Sequence, residues 1–187
     1  MASFFNLTLN DQTQLRLLED RHADELFALV ELNRAYLREW MPWLDTNTSV
    51  INTRSYISAG LAQFAQNNGF VAGIWHKNNL AGTIGHHNIV WHNRSTTMGY
   101  WLSAPCQGKG LMTQACRALV AYSFEELGLN RVEIRCAPGN KKSRAIPERL
   151  GFTQEGTLRQ AEWLYDHYVD NVVYGMLVSE WQPRPSK

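Results

Sequence analysis

Cysteine is scarce in this sequence, and its three copies do not form a recognisable disulfide or metal pattern. Cys106, Cys116 and Cys136 are odd in number, and no Cys-x-x-Cys pair occurs among the 187 residues. An odd, widely spaced set argues against a disulfide framework and against a structural zinc site. The scarcity suits a reducing compartment, so we predict a cytoplasmic protein that needs no metal.

Long apolar runs and an excess of one charge are also missing. No apolar stretch approaches the ~20 residues that span a bilayer, and residues 1–14 lack the basic and apolar regions of a signal peptide. We therefore predict no membrane association. The formal net charge is +1, which gives no electrostatic ground for direct nucleic-acid binding. The 44% hydrophobic content is typical of globular proteins, and we predict a single domain over residues 1–187.

The first third of the chain has helical periodicity after one short strand. Residues 15–18 predict a first strand, and Asp20 is placed to cap a helix whose apolar residues recur from Ala23 to Val30. We predict that this helical region ends at Pro42. Apolar residues at helical spacing between Ile57 and Phe64 predict a second helix.

From Phe70 onward the apolar period changes to two, which predicts strands. Asn78-Asn79 lies between two apolar runs and favours a tight hairpin turn. The remaining predicted elements are, in order, a strand at 95–103, a helix from 111 that ends near Gly128, a strand at 131–137, a short helix within 140–152 and a closing β-hairpin. This order predicts the α/β (α+β) class, with a mixed, mostly antiparallel central sheet flanked by helices.

The segment Gln107-Gly108-Lys109-Gly110 connects a predicted strand to a predicted helix. The first amides of a helix lack intrahelical partners, and the helix dipole favours an anion there. Gly108 and Gly110 allow a ligand close to the backbone, and Lys109 adds a positive charge. A phosphate or pyrophosphate suits this chemistry; the alternative is an ordinary glycine turn. The Walker-type and G-x-G-x-x-G nucleotide loops are both absent.

Two sequence blocks together resemble the GNAT (GCN5-related) N-acetyltransferases. Residues 107–111 resemble that family's Q-x-x-G-x pyrophosphate loop, although Met112 stands where glycine or alanine is usual. "NKKSRAIPERLGF" (140–152) resembles the family's N-x-x-S-x-x-x-x-E-[KR]-x-G-F block. "REWMPWL", "GYWLS", "LNRVEIRC" and the final "EW" further resemble the RimJ/RimL branch, so the resemblance covers residues 12–181. It implies the GNAT acyl-CoA N-acyltransferase fold and acetyl-CoA as co-substrate.

The resemblance also assigns residues to the cofactor. In the family, loop amides bind the pyrophosphate, and the pantetheine arm lies where two strands splay apart, here those that end near Ser103 and Cys136. The backbone of Leu102 would meet the arm and help to polarise the thioester. The cofactor-binding residues predicted in this way are Leu102, Gln107, Gly108, Lys109, Gly110, Leu111, Met112, Thr113, Asn140 and Ser143.

Glu162 and Ser143 are the catalytic residues that the resemblance implies. In RimL-like enzymes the glutamate of "QAE" is assigned as the base, so Glu162 would deprotonate the amine directly or through water. Ser143 would hydrogen-bond the leaving sulfur and act as its proton donor. The alternatives are a solvated glutamate at a strand end and a serine that satisfies the backbone. Asp166 and Asp170, in predicted turns, are weaker candidates for the base.

Five further residues are candidates for a role in the site or at a metal. By resemblance, Trp40 and Trp43 lie beside the acceptor groove and bind substrate; the alternative is that they only pack. Cys136 would lie near the thioester, where we favour an inert packing cysteine over an acetyl-cysteine intermediate. His86 and His87 are adjacent in a predicted strand, so they point to opposite faces and cannot easily share a metal.

The predicted activity is acetyl-CoA-dependent N-acetylation of a primary amine by direct attack on the thioester. In the RimJ/RimL branch the acceptor is the N-terminal amino group of a ribosomal protein. A small amine, such as a polyamine or an antibiotic, and a non-catalytic acyl-CoA-binding module stay open as alternatives. The apolar segment "VVYGMLV" (172–178) is predicted to extend or cross the sheet of a second copy, giving a homodimer.

Overall fold

The structure, a computed structural model that describes residues 5–182, contains one eight-stranded sheet. The strands are β1 (Asn6–Asn10), β2 (Thr13–Leu17), β3 (Phe70–His76), β4 (Asn79–Val90), β5 (Ser95–Leu102), β6 (Arg131–Cys136), β7 (Thr153–Leu164) and β8 (His167–Leu177). Their spatial order is β1-β2-β3-β4-β5-β6-β8-β7. β5 and β6 are parallel, and the other neighbouring pairs are antiparallel. The predicted mixed, mostly antiparallel sheet is confirmed.

Helices cover both faces of this sheet. They are α1 (Ala23–Arg38), α2 (Val50–Ala65), α3 (Leu111–Glu125) and α4 (Lys141–Leu150). The apolar sides of α1 and α2 pack with Trp75, Leu80 and Trp101 in one core cluster. α3 and α4 pack in a second, larger cluster that includes Leu102. Trp101 and Leu102 join different clusters because successive strand residues point to opposite faces.

The two adjacent histidines of β4 illustrate the same alternation. His86 is 1% exposed, and its Nε2 lies 2.9 Å from the Ser123 hydroxyl of α3. Burial lowers the pKa of His86 to about 3, so the ring is neutral and serves to pack β4 against α3. His87 faces outward. Across residues 5–182, no three His, Cys, Asp or Glu side chains are grouped to hold a metal ion.

Three local predictions at the N-terminal end are wrong. The predicted first strand is the second, because β1 pairs with β2 and precedes it. Asp20 does not cap α1; it begins a single 3-10 turn, Asp20–His22, which is capped by Glu19. The Glu19 N–H donates to His22 Nδ1 at 3.0 Å, so a side chain three residues on completes the cap. α1 ends at Arg38, ahead of Pro42.

The β3–β4 hairpin turns one residue earlier than predicted. Lys77 and Asn78 have φ of 52° and 64°, while Asn79 already pairs with His76. Two consecutive residues with positive φ are the signature of a type I′ turn, which matches the twist of the strands it joins.

The segment 172–178 is not available to another chain in the way predicted. β8 is an interior strand that pairs with β6 on one side and β7 on the other. Val172, Tyr174 and Met176 are buried in the core. The closing hairpin is present, but its outer strand, β7, forms the edge of the sheet.

Within the described residues, no helix is long and apolar enough to cross a bilayer.

Candidate active site

The sheet opens between its two parallel strands. β5 pairs with β6 only from Ser95 to Met98, opposite Arg131 to Ile134. Beyond that point β5 continues against β4 as far as Leu102, and β6 continues against β8 as far as Cys136. The two strands therefore separate at their C-terminal ends, where the family resemblance implies the opening.

A cleft of about 1730 Å³ extends from this opening. Nine of the ten predicted cofactor residues line it: Leu102, Gln107, Gly108, Gly110, Leu111, Met112, Thr113, Asn140 and Ser143. Lys109 is exposed and lies outside the lining. The cleft is larger than an ordinary small-molecule pocket of roughly 300–1,000 Å³, as a long, multi-part cofactor requires.

The loop before α3 has the backbone of an anion cradle. Gly108 and Gly110 have φ of 74° and 73°, a conformation that residues with a Cβ rarely adopt. Gly110 is the N-cap of α3, so the amides of Leu111, Met112 and Thr113 belong to the first turn and lack intrahelical partners. Because the same residues line the cleft, the cradle faces the opening of the sheet.

The second block brings a neutral cluster to the same cleft. Asn140 caps α4, and its Oδ1 accepts the Ser143 N–H at 3.2 Å. The Ser143 hydroxyl lies 3.2 Å from Cys136 Sγ and 3.4 Å from the Tyr100 hydroxyl. Burial raises the pKa of the Cys136 thiol and that of the Tyr100 phenol. All three groups are therefore protonated at neutral pH.

Side chains on the outer part of α4 hold it against the sheet. Arg144 Nε donates to the Tyr174 hydroxyl of β8 at 2.8 Å, and that hydroxyl donates to Glu148 at 2.8 Å. Arg144 also donates to the Pro138 carbonyl at 3.2 Å. Glu148, a member of the second block, thus fixes the orientation of α4 and with it the placement of Ser143.

A chain of polar contacts crosses the cleft at the end of β5. Lys142 donates to the Gln107 side-chain oxygen at 3.0 Å, and the Gln107 amide donates to the Leu102 carbonyl at 3.3 Å. The Tyr36 hydroxyl of α1 donates to the same carbonyl, and burial raises the pKa of Tyr36 to about 12. Sequence reasoning missed Tyr36 because its spacing in α1 is that of an ordinary half-buried helix residue.

The two tryptophans predicted at the acceptor groove lie in different cavities. Trp40 lines the cleft, and its ring lies 3.3 Å from where a Cβ on Gly139 would be. Trp43 instead lines a cavity of about 440 Å³ between α1, α2 and the sheet. The side chains around this second cavity are uncharged. Trp101 lines both cavities.

Glu162 is half-buried on β7 and lines neither cavity. The pairing of β7 with β8 is irregular between Leu158 and Glu162, where the register shifts. Gln160 has φ of 50° there, and its N–H donates to Asp170 at 2.8 Å. Asp170 thus stabilises the irregular backbone, while Asp166 pairs with His167 in the turn. Glu162 makes no side-chain hydrogen bond or ion pair with residues 5–182.

The β7–β8 hairpin reaches across to the end of α1. The Tyr165 hydroxyl donates to the Met41 carbonyl, and the Arg38 guanidinium lies 3.9 Å from the centre of the Tyr165 ring. Arg38 also pairs with Asp45 at 2.8 Å. Glu162 therefore lies on a hairpin that is docked against the same segment that carries Trp40 and Trp43.

Comparison with known proteins identifies the class. The family model for the acetyltransferase (GNAT) domain matches residues 12–153, and this chain belongs to the GNAT N-acetyltransferases. It is 39% identical to YdaF of Bacillus subtilis (strain 168), provisionally named a ribosomal N-acetyltransferase, over 95% of this chain and 98% of that one.

Two solved structures of similar proteins contain coenzyme A or acetyl-CoA. One is RimL, the ribosomal L7/L12 alpha-N-protein acetyltransferase, in complex with coenzyme A disulfide-bonded to a cysteine (28% identity, TM-score 0.91, 94% of this chain and 99% of that one). The other is the microcin C7 self-immunity acetyltransferase MccE with acetyl-CoA and AMP (30% identity, TM-score 0.87, 91% and 94%). The GNAT fold and acetyl-CoA as co-substrate are thereby established for this chain's class.

Proposed function

We propose that this N-acetyltransferase transfers the acetyl group of acetyl-CoA to the N-terminal amino group of a protein, with ribosomal proteins as the first candidates. The observation that carries the proposal is the cleft at the β5–β6 opening, where the glycine cradle and Ser143 meet. The names of YdaF and RimL support a ribosomal acceptor. We further propose that the enzyme acts in the cytoplasm.

The residues of the cleft fit acetyl-CoA. The amides of Leu111, Met112 and Thr113 would hold the pyrophosphate, because Gly108 and Gly110 keep side chains away from the approach. Leu102, at the open end of β5, would lie along the pantetheine arm. Bound acetyl-CoA supplies an activated thioester, and nothing in the proposed transfer requires a metal.

Ser143 is proposed to assist the departure of the sulfur. Its hydroxyl belongs to a protonated cluster with Cys136 and Tyr100, so it can donate a hydrogen bond to a developing thiolate. An uncharged donor stabilises negative charge that forms in a low-dielectric site, because it is oriented in advance. Cys136 packs beside the serine, and its raised pKa disfavours the thiolate that an acetyl-cysteine route would need.

Glu162 is proposed to take the proton from the acceptor ammonium. Its carboxylate has no cationic partner among residues 5–182, so its charge is available to an incoming ammonium. Because Glu162 does not line the cleft, we place it on the acceptor side, where one water can relay the proton. Trp40 and Trp43, on the segment that the hairpin contacts, are proposed to border the acceptor.

A small-molecule amine is the second candidate acceptor. The similarity to MccE, solved with AMP as well as acetyl-CoA, favours it, and so does the uncharged, partly enclosed second cavity beside Trp43. A non-catalytic acyl-CoA-binding role is the third possibility, and measurable turnover with any amine contradicts it.

An acceptor screen tests these alternatives. Thiol release from acetyl-CoA would be measured with peptides beginning with the N-terminal residues of ribosomal proteins, with polyamines and with aminoacyl nucleotides. The matched control for each peptide is the same peptide with a blocked N-terminus. Turnover confined to free N-termini supports the first proposal, turnover confined to small amines supports the second, and no turnover with any amine supports a binding module.

A homodimer is also proposed, through the edge strand β7 in place of the interior strand β8. β7 is the outer strand of the sheet, and Leu158, Trp163 and the neighbouring Tyr168 expose 42%, 50% and 59% of their surfaces. A long exposed edge with apolar side chains is a template for pairing with a second copy. Light scattering at micromolar concentration should give twice the 21.4 kDa chain mass, and the single-chain mass would refute the dimer.

A further inference from the structure

Helix α4 contains a proline at the position that should complete a hydrogen bond to Ser143. The helix begins at Lys141, so Pro147 lies in its second turn. In a regular α-helix the N–H of residue 147 would donate to the carbonyl of residue 143. Pro147 has no N–H to donate, so this carbonyl cannot receive the regular bond from its own helix.

A side chain from another element provides a donor to this carbonyl. The Tyr100 hydroxyl, from the diverging part of β5, donates to the Ser143 carbonyl oxygen at 3.1 Å. A buried carbonyl deprived of its partner costs free energy unless another donor reaches it. Tyr100 thus links the strand at the opening to the helix that carries Ser143.

This bond also determines what the Ser143 hydroxyl can do. A phenol has one hydrogen to donate, and Tyr100 directs it to the carbonyl. The Tyr100 oxygen can then only accept from Ser143, at a long 3.4 Å, and Cys136 Sγ lies 3.2 Å away. The contact to Tyr100 is long, and a thiol sulfur is a weak acceptor, so the serine hydrogen is available to a sulfur that develops negative charge in the cleft.

We propose that Tyr100 is a positioning residue for acetyl transfer: it replaces the helix hydrogen bond that Pro147 removes and so holds the Ser143 hydroxyl toward the leaving sulfur. This inference rests on the proposed function, since it deepens the role of Ser143 there. Pro147 is required for this role, because it leaves the Ser143 carbonyl without a helix donor and so open to the Tyr100 hydroxyl of β5.

The test is a set of variants measured for kcat, KM and thermal unfolding with the acceptor found by the screen. Tyr100→Phe keeps the ring and removes the donor, so kcat should fall roughly tenfold, the worth of one hydrogen bond. KM for acetyl-CoA should stay within about twofold, because the pyrophosphate cradle is untouched. Tyr122→Phe, a partly buried tyrosine outside both cavities, is the matched control and should leave kcat unchanged.

Repeating Tyr100→Phe in two further variants of the protein distinguishes a positioning role of Tyr100 from a general effect on stability. In a Ser143→Ala background, Tyr100→Phe should produce no further fall in kcat, because its effect passes through the serine. In a Pro147→Ala background, residue 147 regains an N–H, so Tyr100→Phe should cost less kcat and a smaller drop in Tm. The Tm comparison needs no acceptor and stands even if the proposed activity fails.

Three results would overturn the inference. They are full kcat in Tyr100→Phe, an equal fall in kcat with and without Ser143, and a Tm drop that is identical with and without the Pro147→Ala substitution. If wild-type protein turns over no amine at all, the proposed function fails, while the Tm cycle still decides whether Tyr100 and Pro147 are coupled.

Discussion

The proposed cofactor side and the proposed acceptor side of this site are built in different ways. The cofactor side uses two short stretches, 102–113 and 136–143, in which neighbouring residues supply both scaffold and contacts. The acceptor side joins the segment after α1 to a hairpin more than 100 residues away, through Tyr165 and Met41. Local backbone geometry dominates the first region, and long-range side-chain packing dominates the second. A site of the first kind can be read from residue spacing, whereas one of the second kind depends on the fold.

The largest expected effect tests the acceptor side. Glu162→Gln keeps the shape and removes the proton acceptor, so kcat should fall by roughly 10²–10⁴-fold. KM for acetyl-CoA should change little, because Glu162 is absent from the lining of the cofactor cleft. The loss should shrink as pH rises, since more of the acceptor amine is already neutral. The measurement is a pH profile of kcat for both proteins.

Asp166→Asn, in the turn of the same hairpin, is the matched control and should retain near-normal turnover. If Glu162→Gln shows wild-type turnover with an unchanged pH profile, the carboxylate only orients the amine, and the assignment of the base is wrong.

The next effect tests the cofactor side. Gly110→Asp places a carboxylate where the pyrophosphate should bind, so we expect acetyl-CoA affinity to fall roughly 100-fold, as when one or two charge-assisted hydrogen bonds are lost. Calorimetry gives the affinity, and circular dichroism checks that the fold survives.

Gly128→Asp is the matched control for strain, because Gly128 also has positive φ, 62°, but lies beyond the far end of α3. In Gly110→Asn, the asparagine tolerates this backbone conformation but carries no charge. The difference in affinity between Gly110→Asp and Gly110→Asn therefore measures the effect of the charge. Unchanged affinity in a folded Gly110→Asp protein would remove the loop from the cofactor site.

A smaller effect is expected when Trp40, which lines the cleft, is compared with Trp43, which lines the second cavity. Trp40→Ala removes a ring that lines the cofactor cleft and lies against Gly139, so KM should rise roughly tenfold for acetyl-CoA and for the acceptor. Trp43→Ala opens the second cavity only, so only the acceptor KM should rise. Identical kinetic changes in the two variants would show that the two cavities do not bind different substrates.

The smallest effect concerns Cys136. Because burial raises the pKa of its thiol, Cys136→Ala should keep kcat within about threefold of wild type, a change of under 1 kcal/mol. Intact-mass spectrometry after mixing with acetyl-CoA should reveal no acetylated protein. An acetyl adduct that disappears in Cys136→Ala would instead establish the acetyl-cysteine route.

The elements that could be predicted from sequence are those set by local chemistry. The glycines at 108 and 110 and the apolar periodicity of α3 each specify their structure within a few residues. The β3–β4 turn was misplaced by one residue because Lys77, Asn78 and Asn79 form a run that accommodates either register. β1 was missed because it is an edge strand with partly exposed side chains.

The sequence determined the family through its resemblance to known members. It also determined the class of fold and the backbone of the glycine loop before α3, because glycine conformations and periodicity act between near neighbours. Only the tertiary structure decided that β8 is interior, that Trp40 and Trp43 face different cavities, and that Tyr100 reaches the carbonyl left open by Pro147. The physical reason is that side-chain contacts between distant segments depend on how the strands diverge and the helices pack. No short-range pattern encodes that divergence.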